Sequence, residues 1–127
     1  MTSSPLIKWF ELPATDIQRA QSFYETILGI EMKFMDLGEE FKMALFPGEE
    51  AQEPGALVYN SAWYKPSGTH GPLLYFDANP DLQDALDKVE ELGGKIMIPK
   101  RQISEDRGFM SVIEDSEGNR IALRSDA

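Results

Sequence analysis

Apolar residues along this chain follow two different periods. From Ile17 to Leu28 they recur three and four positions apart, at Ile17, Ala20, Phe23, Tyr24, Ile27 and Leu28, which is one stripe of an amphipathic helix. Thr15 ahead of Asp16-Ile17-Gln18 supplies a capping-box spacing, and Gly29 a stop. A second stripe of Leu82, Ala85, Leu86, Val89 and Leu92 opens at Asn79-Pro80-Asp81, with the proline in the first turn, and ends at Gly93-Gly94.

Short runs of β-forming residues flank both helices. Leu6–Leu12 precedes the first, and Ile30–Met35, Phe41–Phe46 and Ala56–Asn60 follow it. Leu73–Asp77 precedes the second, and Lys95–Ile98, Gly108–Glu114 and Asn119–Arg124 follow it, the last two joined by the turn Asp115-Ser116-Glu117-Gly118. The order is βαβββ twice. The repeat shows in the residues too, since Asp16-x-x-x-Ala20 recurs as Asp81-x-x-x-Ala85, 65 positions on, which aligns Phe10-Glu11 with Tyr75-Phe76. A unit of about 60 residues cannot cover both faces of its own sheet, so two must pack together, in one chain or across a dimer. Ser61–Gly71, with Trp63 and Tyr64, reads as the linker between module 1 (about 5–60) and module 2 (about 72–125) of one domain spanning 1–127.

Composition narrows the chemistry. There is no Cys and one His in 127 residues, which excludes disulfides, thiolate nucleophiles, iron–sulfur clusters and cysteine triads. A net charge of −10 opposes nucleic acid and anionic membrane as partners, and Lys95, Lys100, Arg101 and Arg107 are too sparse a patch to reverse that. The first residues lack the basic and apolar regions of a secretory signal, and no run approaches a membrane span, so a cytoplasmic protein is expected.

The ordered set Pro13-Ala14-Thr15-Asp16, Arg19-Ala20-x-x-Phe23-Tyr24-x-x-x-Leu28-Gly29, Leu92-Gly93-Gly94-Lys95 and Asp115-x-x-Gly118-Asn119-Arg120-Ile121 resembles the vicinal-oxygen-chelate superfamily. That superfamily holds glyoxalase I, extradiol dioxygenases, fosfomycin-resistance enzymes and bleomycin-resistance proteins. The resemblance implies an α+β fold of two βαβββ modules that form a cup-shaped mixed sheet with the helices outside and a ligand or metal site within. In metal-bearing relatives four ligands stand on the central strands. Carried over, these positions fall on Trp9, Ala56, Leu74 and Ala122, none of which binds a metal. No metal and no other cofactor is therefore expected, and chemistry that needs a metal to polarise vicinal oxygens is disfavoured.

Strand alternation assigns the faces. If Phe10 and Leu12 pack on the first helix, Trp9 and Glu11 face the cup, and the same parity turns Ala56, Val58, Leu74, Phe76, Ala122 and Arg124 inward. Leu57, Tyr59, Leu73, Tyr75, Ile121 and Leu123 are left to the helices. The expected ligand site is then Trp9, Glu11, Val58, Leu74, Phe76 and Arg124, an apolar wall with one acid and one base. Glu11 and Arg124 read either as an ion pair that satisfies itself or as a general base, made more basic by its walls, beside a group holding an oxyanion. Trp9 reads as filler of the vacated metal space or as a stacking surface. Lys100–Gly108, with Arg101 and Arg107, is either a loop closing the cup mouth or an ordinary charged hairpin. Trp63 and Tyr64 are either an interface pair or an anchor for the linker. His70 and the Glu49, Glu50, Glu53 cluster read as solvated loop residues. The expectation is a homodimer that holds a small organic molecule without a metal, as bleomycin-resistance proteins do. A glyoxalase-type lyase or isomerase with Glu11 as base, and a relative without a working site, are the competing readings.

Overall fold

A computed structural model describes residues 6–49 and 52–127. The first half contains β1 (Phe10–Pro13), α1 (Ile17–Leu28), β2 (Lys33–Asp36), β3 (Lys42–Leu45) and β4 (Gly55–Tyr59). The second contains β5 (Tyr75–Asp77), α2 (Gln83–Val89, continued by a 3-10 turn over Glu90–Leu92), β6 (Lys95–Ser104), β7 (Gly108–Glu114) and β8 (Arg120–Ser125). Each half builds a four-stranded mixed sheet, in the orders β1-β4-β3-β2 and β5-β8-β7-β6. In each, the first strand runs parallel to the last and the remaining pairs are antiparallel. The chain is thus the expected α+β pair of βαβββ units. Among the described residues no helix is long and apolar enough to cross a membrane.

Both helices share one core. Ile17, Ala20, Phe23, Tyr24 and Ile27 of α1 and Ala85, Leu86 and Val89 of α2 are buried. They pack with Leu12, Leu57, Ile113, Ile121 and Leu123 from the sheets. The edge strands β1 and β5 meet where Phe10, Tyr24, Phe46 and Phe76 stack at centroid separations of 5.2–5.8 Å. Such spacings lie in the favourable range for offset and edge-to-face aromatic pairs, so four rings fasten the seam between the modules. Gly55 allows this. A Cβ there would lie 2.4 Å from the Phe10 carbonyl oxygen and 2.6 Å from its ring. The opposite faces of the sheets carry separate clusters, Met43, Leu45, Ala56 and Val58 on the first and Met110, Val112 and Ala122 on the second.

A polar clasp fastens the modules a second time. The β7–β8 turn of module 2 reaches the N-terminus of α1 in module 1, where the buried Glu117 carboxylate accepts from Thr15 N (2.9 Å), Asp16 N (2.8 Å), Arg19 Nη2 (3.0 Å) and Arg19 Nε (2.7 Å). Burial works against the charge of Glu117, but the hydrogen bonds from Arg19, Asp16, Ser116 and Thr15 prevail and bring its pKa down to about 2. Beside it, Asp115 accepts from Tyr24 Oη (2.6 Å) and Asn119 N (2.8 Å), while Asn119 Nδ2 donates to the Pro13 carbonyl (2.6 Å). Burial raises the Asp115 pKa in spite of these donors, and it raises that of Tyr24 as well.

Several expectations are corrected. The cap of α1 is Asp16 rather than Thr15, its carboxylate accepting from Arg19 N at 3.1 Å, because the Thr15 hydroxyl is engaged by Glu117. Helix α2 begins after Leu82 with no side-chain cap, so Pro80 lies ahead of it and not in its first turn. Of the two readings of Lys100–Gly108 the charged hairpin is the one observed, and its first strand runs to Ser104 instead of ending at Ile98, with Arg101 opposite Met110 and Gln102 opposite Phe109. Pro99 is accommodated there because β6 is an edge strand and the pairing register shifts between Ile98 and Arg101. Within the acidic cluster Glu49 and Glu53 border a loop, and Glu50 lies outside the described residues.

The most consequential correction concerns β5. Leu74 and Phe76 pack into the helix-side core, and Leu73 joins the opposite cluster, the reverse of the expected parity. The register gives the reason. Ala14 N donates to Val58 O (2.9 Å) as Ala78 N donates to Arg124 O (2.8 Å), so β1 and β5 correspond at a spacing of 64 residues while the helices keep 65. Module 2 has one more residue between its first strand and its helix than module 1 has. A shift of one residue exchanges the two faces of a strand.

Candidate functional site

Glu11 is the polar centre of the first sheet's outer face. Ala56 lies beside it in register on β4, and its carboxylate is held from two sides: Trp9 Nε1 donates to Oε2 at 3.1 Å and Tyr64 Oη donates to Oε1. Tyr64 is carried there by the linker, whose Trp63 and Tyr64 amides both donate to the Asn60 carbonyl. The bond to Glu11 holds the Tyr64 pKa above its ordinary value. Tyr64 also packs on the cluster that contains Ala56 and Val58. It therefore anchors the linker on its own sheet, whereas Trp63 is 83% exposed.

Glu11 also lines a cleft of about 390 Å³ at the seam, whose walls include Phe10, Leu12, Pro13, Pro72 and Leu74 on the apolar side and Lys65, Ser67, His70, Asn119 and Arg120 on the polar side. Arg120 Nη2 donates to the Gly71 carbonyl at 2.9 Å, while its Nε is buried without an acceptor. His70 is exposed at the rim, with Nδ1 against Thr69 Oγ1 (2.8 Å) and its amide donating to Ser67 Oγ (2.9 Å). A second cleft of about 350 Å³ opens on the far side of Phe10 and Leu74, lined by Leu28, Ile30, Phe46 and Phe76.

The six expected ligand-site residues are only partly brought together. Trp9 and Glu11 adjoin, and Trp9 remains 42% exposed instead of filling a core. Val58 is fully buried beneath Tyr64 and its neighbours. Leu74 lines both seam clefts from the helix side, and Phe76 belongs to the aromatic seam and the second cleft. Arg124 is neither the neighbour nor the partner of Glu11. It stands in the other sheet opposite Asp77, with its guanidinium 3.6 Å from Asp126. The pairing was misplaced because the strand beside β1 is β4, not β8.

A metal does not fit these residues. With the parity of β5 corrected, the third ligand-equivalent position moves from Leu74 to Leu73, so the four hold an indole, two methyls and an isobutyl group. Among the described residues no three His, Cys, Asp or Glu side chains converge. Divalent ions need oxygen, imidazole or thiolate donors in a convergent set, which these four side chains cannot supply.

The Tyr64 bond to Glu11 and the two cleft cations Lys65 and Arg120 are not legible in the sequence. Tyr64 was visible as an aromatic in a polar linker, and its hydroxyl bond to Glu11, 53 positions away, left no local trace. Lys65 and Arg120 are single charges in segments that read as linker and strand. Nothing in their spacing marks them, since the closure of the seam is what brings them together.

Comparisons with known proteins agree with this geometry. Glyoxalase I from Zea mays superposes with a TM-score of 0.74 at 21% identity over 94% of this chain, which spans 45% of the length of that protein. A glyoxalase/bleomycin resistance protein from Albidiferax ferrireducens T118 gives 0.67 at 17% identity, covering 97% of this chain and 100% of the other. A superfamily member from Sphaerobacter thermophilus gives 0.67 at 20%, covering 96% and 98%. No curated protein matches at a significant level. The family model described as Glyoxalase/Bleomycin resistance protein/Dioxygenase superfamily matches residues 6–123, and the chain belongs to that superfamily.

Proposed function

We propose that this protein binds a small organic molecule in the seam cleft without a metal, a sequestering role like the one that the name of its bleomycin-resistance relatives suggests. The observation that carries the reading is a cleft of about 390 Å³ with an apolar floor and a few convergent polar groups, Glu11 among them. That is the ordinary make-up of a small-molecule site, where the walls supply burial and the polar groups fix orientation. The absence of donors at Trp9, Ala56, Leu73 and Ala122 supports metal independence. Trp9 provides the assay, because its indole N–H is bonded to a carboxylate of the cleft wall. In a Trp63→Phe background its emission should change saturably with a bound compound. An unaltered signal across cationic, anionic and neutral aromatic compounds would overturn the proposal, and stoichiometric retention of a metal in elemental analysis would overturn its metal-free part.

A second reading is supported by the way Glu11 is held. A carboxylate oriented by an indole N–H and a phenol O–H at a cleft wall can accept a proton from a bound carbon acid, the first step of a glyoxalase-type isomerase or lyase. Arg124 has no part in this version, being in the other sheet. Glu11→Gln should then abolish turnover while leaving binding largely intact, and an unchanged rate removes Glu11 from the role of base.

A further inference from the structure

We infer that the ligand of the seam cleft is an organic acid, its carboxylate lying against Arg120 and Lys65 and its apolar part on Phe10, Pro72 and Leu74. This deepens the preceding proposal and rests on the cleft being a ligand site. The argument begins with charge. Acids outnumber Lys and Arg by 22 to 12, so two cations on one cleft wall stand against the overall sign of the surface. Ion pairs among the described residues engage Arg19, Lys42, Lys100 and Arg124. The other eight make none, and of these Arg120 and Lys65 line the same cleft. Arg120 is moreover fixed in place, because one terminal nitrogen is tied to the Gly71 carbonyl at 2.9 Å. Its Nε on the same side of the guanidinium is buried and lacks an acceptor. The planar guanidinium is shaped for carboxylate oxygens, and a cation held in place at a cleft wall offers one both charge and donors. Glu11, the acid on the cleft wall, already accepts from Trp9 and Tyr64, and its negative charge directs a ligand carboxylate toward the Arg120 end.

The test titrates four probes into the Trp63→Phe protein and follows Trp9 emission and thermal unfolding: benzoate, inorganic phosphate, benzyl alcohol and benzyltrimethylammonium. Benzoate should bind most tightly, its affinity falling as salt rises and dropping by about tenfold or more in Lys65→Ala and in Arg120→Gln. Lys65 is exposed and makes no hydrogen bond in the described structure, so its variant should fold normally even if loss of the Gly71 tie unsettles the Arg120 variant. Benzyl alcohol or the ammonium binding as tightly as benzoate would overturn the anion inference and leave the cleft reading standing. Phosphate binding without benzoate would replace the organic acid by a free oxyanion and so overturn it too. No binding by any probe would overturn both readings. Unchanged benzoate affinity in both variants would remove Arg120 and Lys65 from the site.

Discussion

Replacing Glu117 with Gln tests whether the clasp between the modules is electrostatic. The substitution keeps the shape of the side chain and removes its charge, and it places an amide where Arg19 now donates at 2.7 Å. The magnitude follows from linkage. The carboxylate has a pKa of about 2 in the folded chain against an ordinary 4.5. A folded value below the unfolded one means that the charge stabilises the fold fully above pH 4.5 and that this is lost as the pH falls toward 2. The difference corresponds to about 3 kcal/mol at pH 7, and the same relation leaves about 1.4 kcal/mol at pH 3. Arg19 is half exposed, so solvent screens part of this and about 3 kcal/mol is the upper end of the range.

Urea unfolding followed by far-ultraviolet circular dichroism should therefore show the Gln variant less stable by about 1–3 kcal/mol at pH 7, a midpoint shift of roughly 1–2 M for a chain of this size. The gap should narrow by half or more at pH 3. Asp115 titrates in both proteins and lies in the background of the comparison. A loss below about 1 kcal/mol at pH 7 would mean that the clasp is much weaker than its geometry implies. An equal loss at both pH values would mean that the clasp holds by packing and not by charge.

Three further outcomes are expected. Tyr24→Phe removes the 2.6 Å bond to buried Asp115 and should cost about 1–3 kcal/mol in thermal unfolding at pH 7. Because Asp115 already has a raised pKa and would lose a donor to its charged form, the loss should shrink in acid as the carboxyl protonates, and a pH-independent loss would refute the assignment. Gly55→Ala drives a methyl against the Phe10 carbonyl, a backbone atom that cannot swing aside, and should cost about 1–3 kcal/mol and loosen the aromatic seam, read as altered Phe76 ring shifts by NMR. The expected homodimer is tested at Trp63, whose 83% exposure is large for an indole: sedimentation should give a dimer that Trp63→Ala weakens, and a monomer at high concentration would refute it.

How much was legible in the sequence depends on the range of each interaction. The helices declared themselves because their stripes are local, and the strand order followed from punctuation by Gly, Pro and Asp. Face assignments for β1, β4 and β8 came out as the alternation requires, with Leu57, Ile121 and Leu123 toward the helices and Ala56, Val58 and Ala122 away. β5 failed for a definite reason. Its face was inferred from a repeat spacing fixed on the helices, and Ala78–Asp81 contains one residue more than the matching connection of module 1. A period-two element transmits an error of one residue in full, whereas a helix absorbs it as a rotation of 100°. The site followed the same logic. Glu11 was found because it is the polar residue in an apolar strand, but its supposed partner Arg124 was chosen by assuming which strands adjoin. The groups that do meet it, Tyr64 by hydrogen bond and Lys65 and Arg120 across the cleft, come from the linker and the start of β8, which only the closed seam brings near β1. The net charge of −10 is a property of the whole surface, whereas the organic acid inferred above rests on two cations of one cleft. Total charge governs solubility and long-range steering, while a ligand inside a cleft responds to the few charges within a Debye length that have no partner of their own. For the cleft of this protein the charges to weigh are Arg120 and Lys65 against Glu11, and the benzoate and ammonium probes decide which sign prevails.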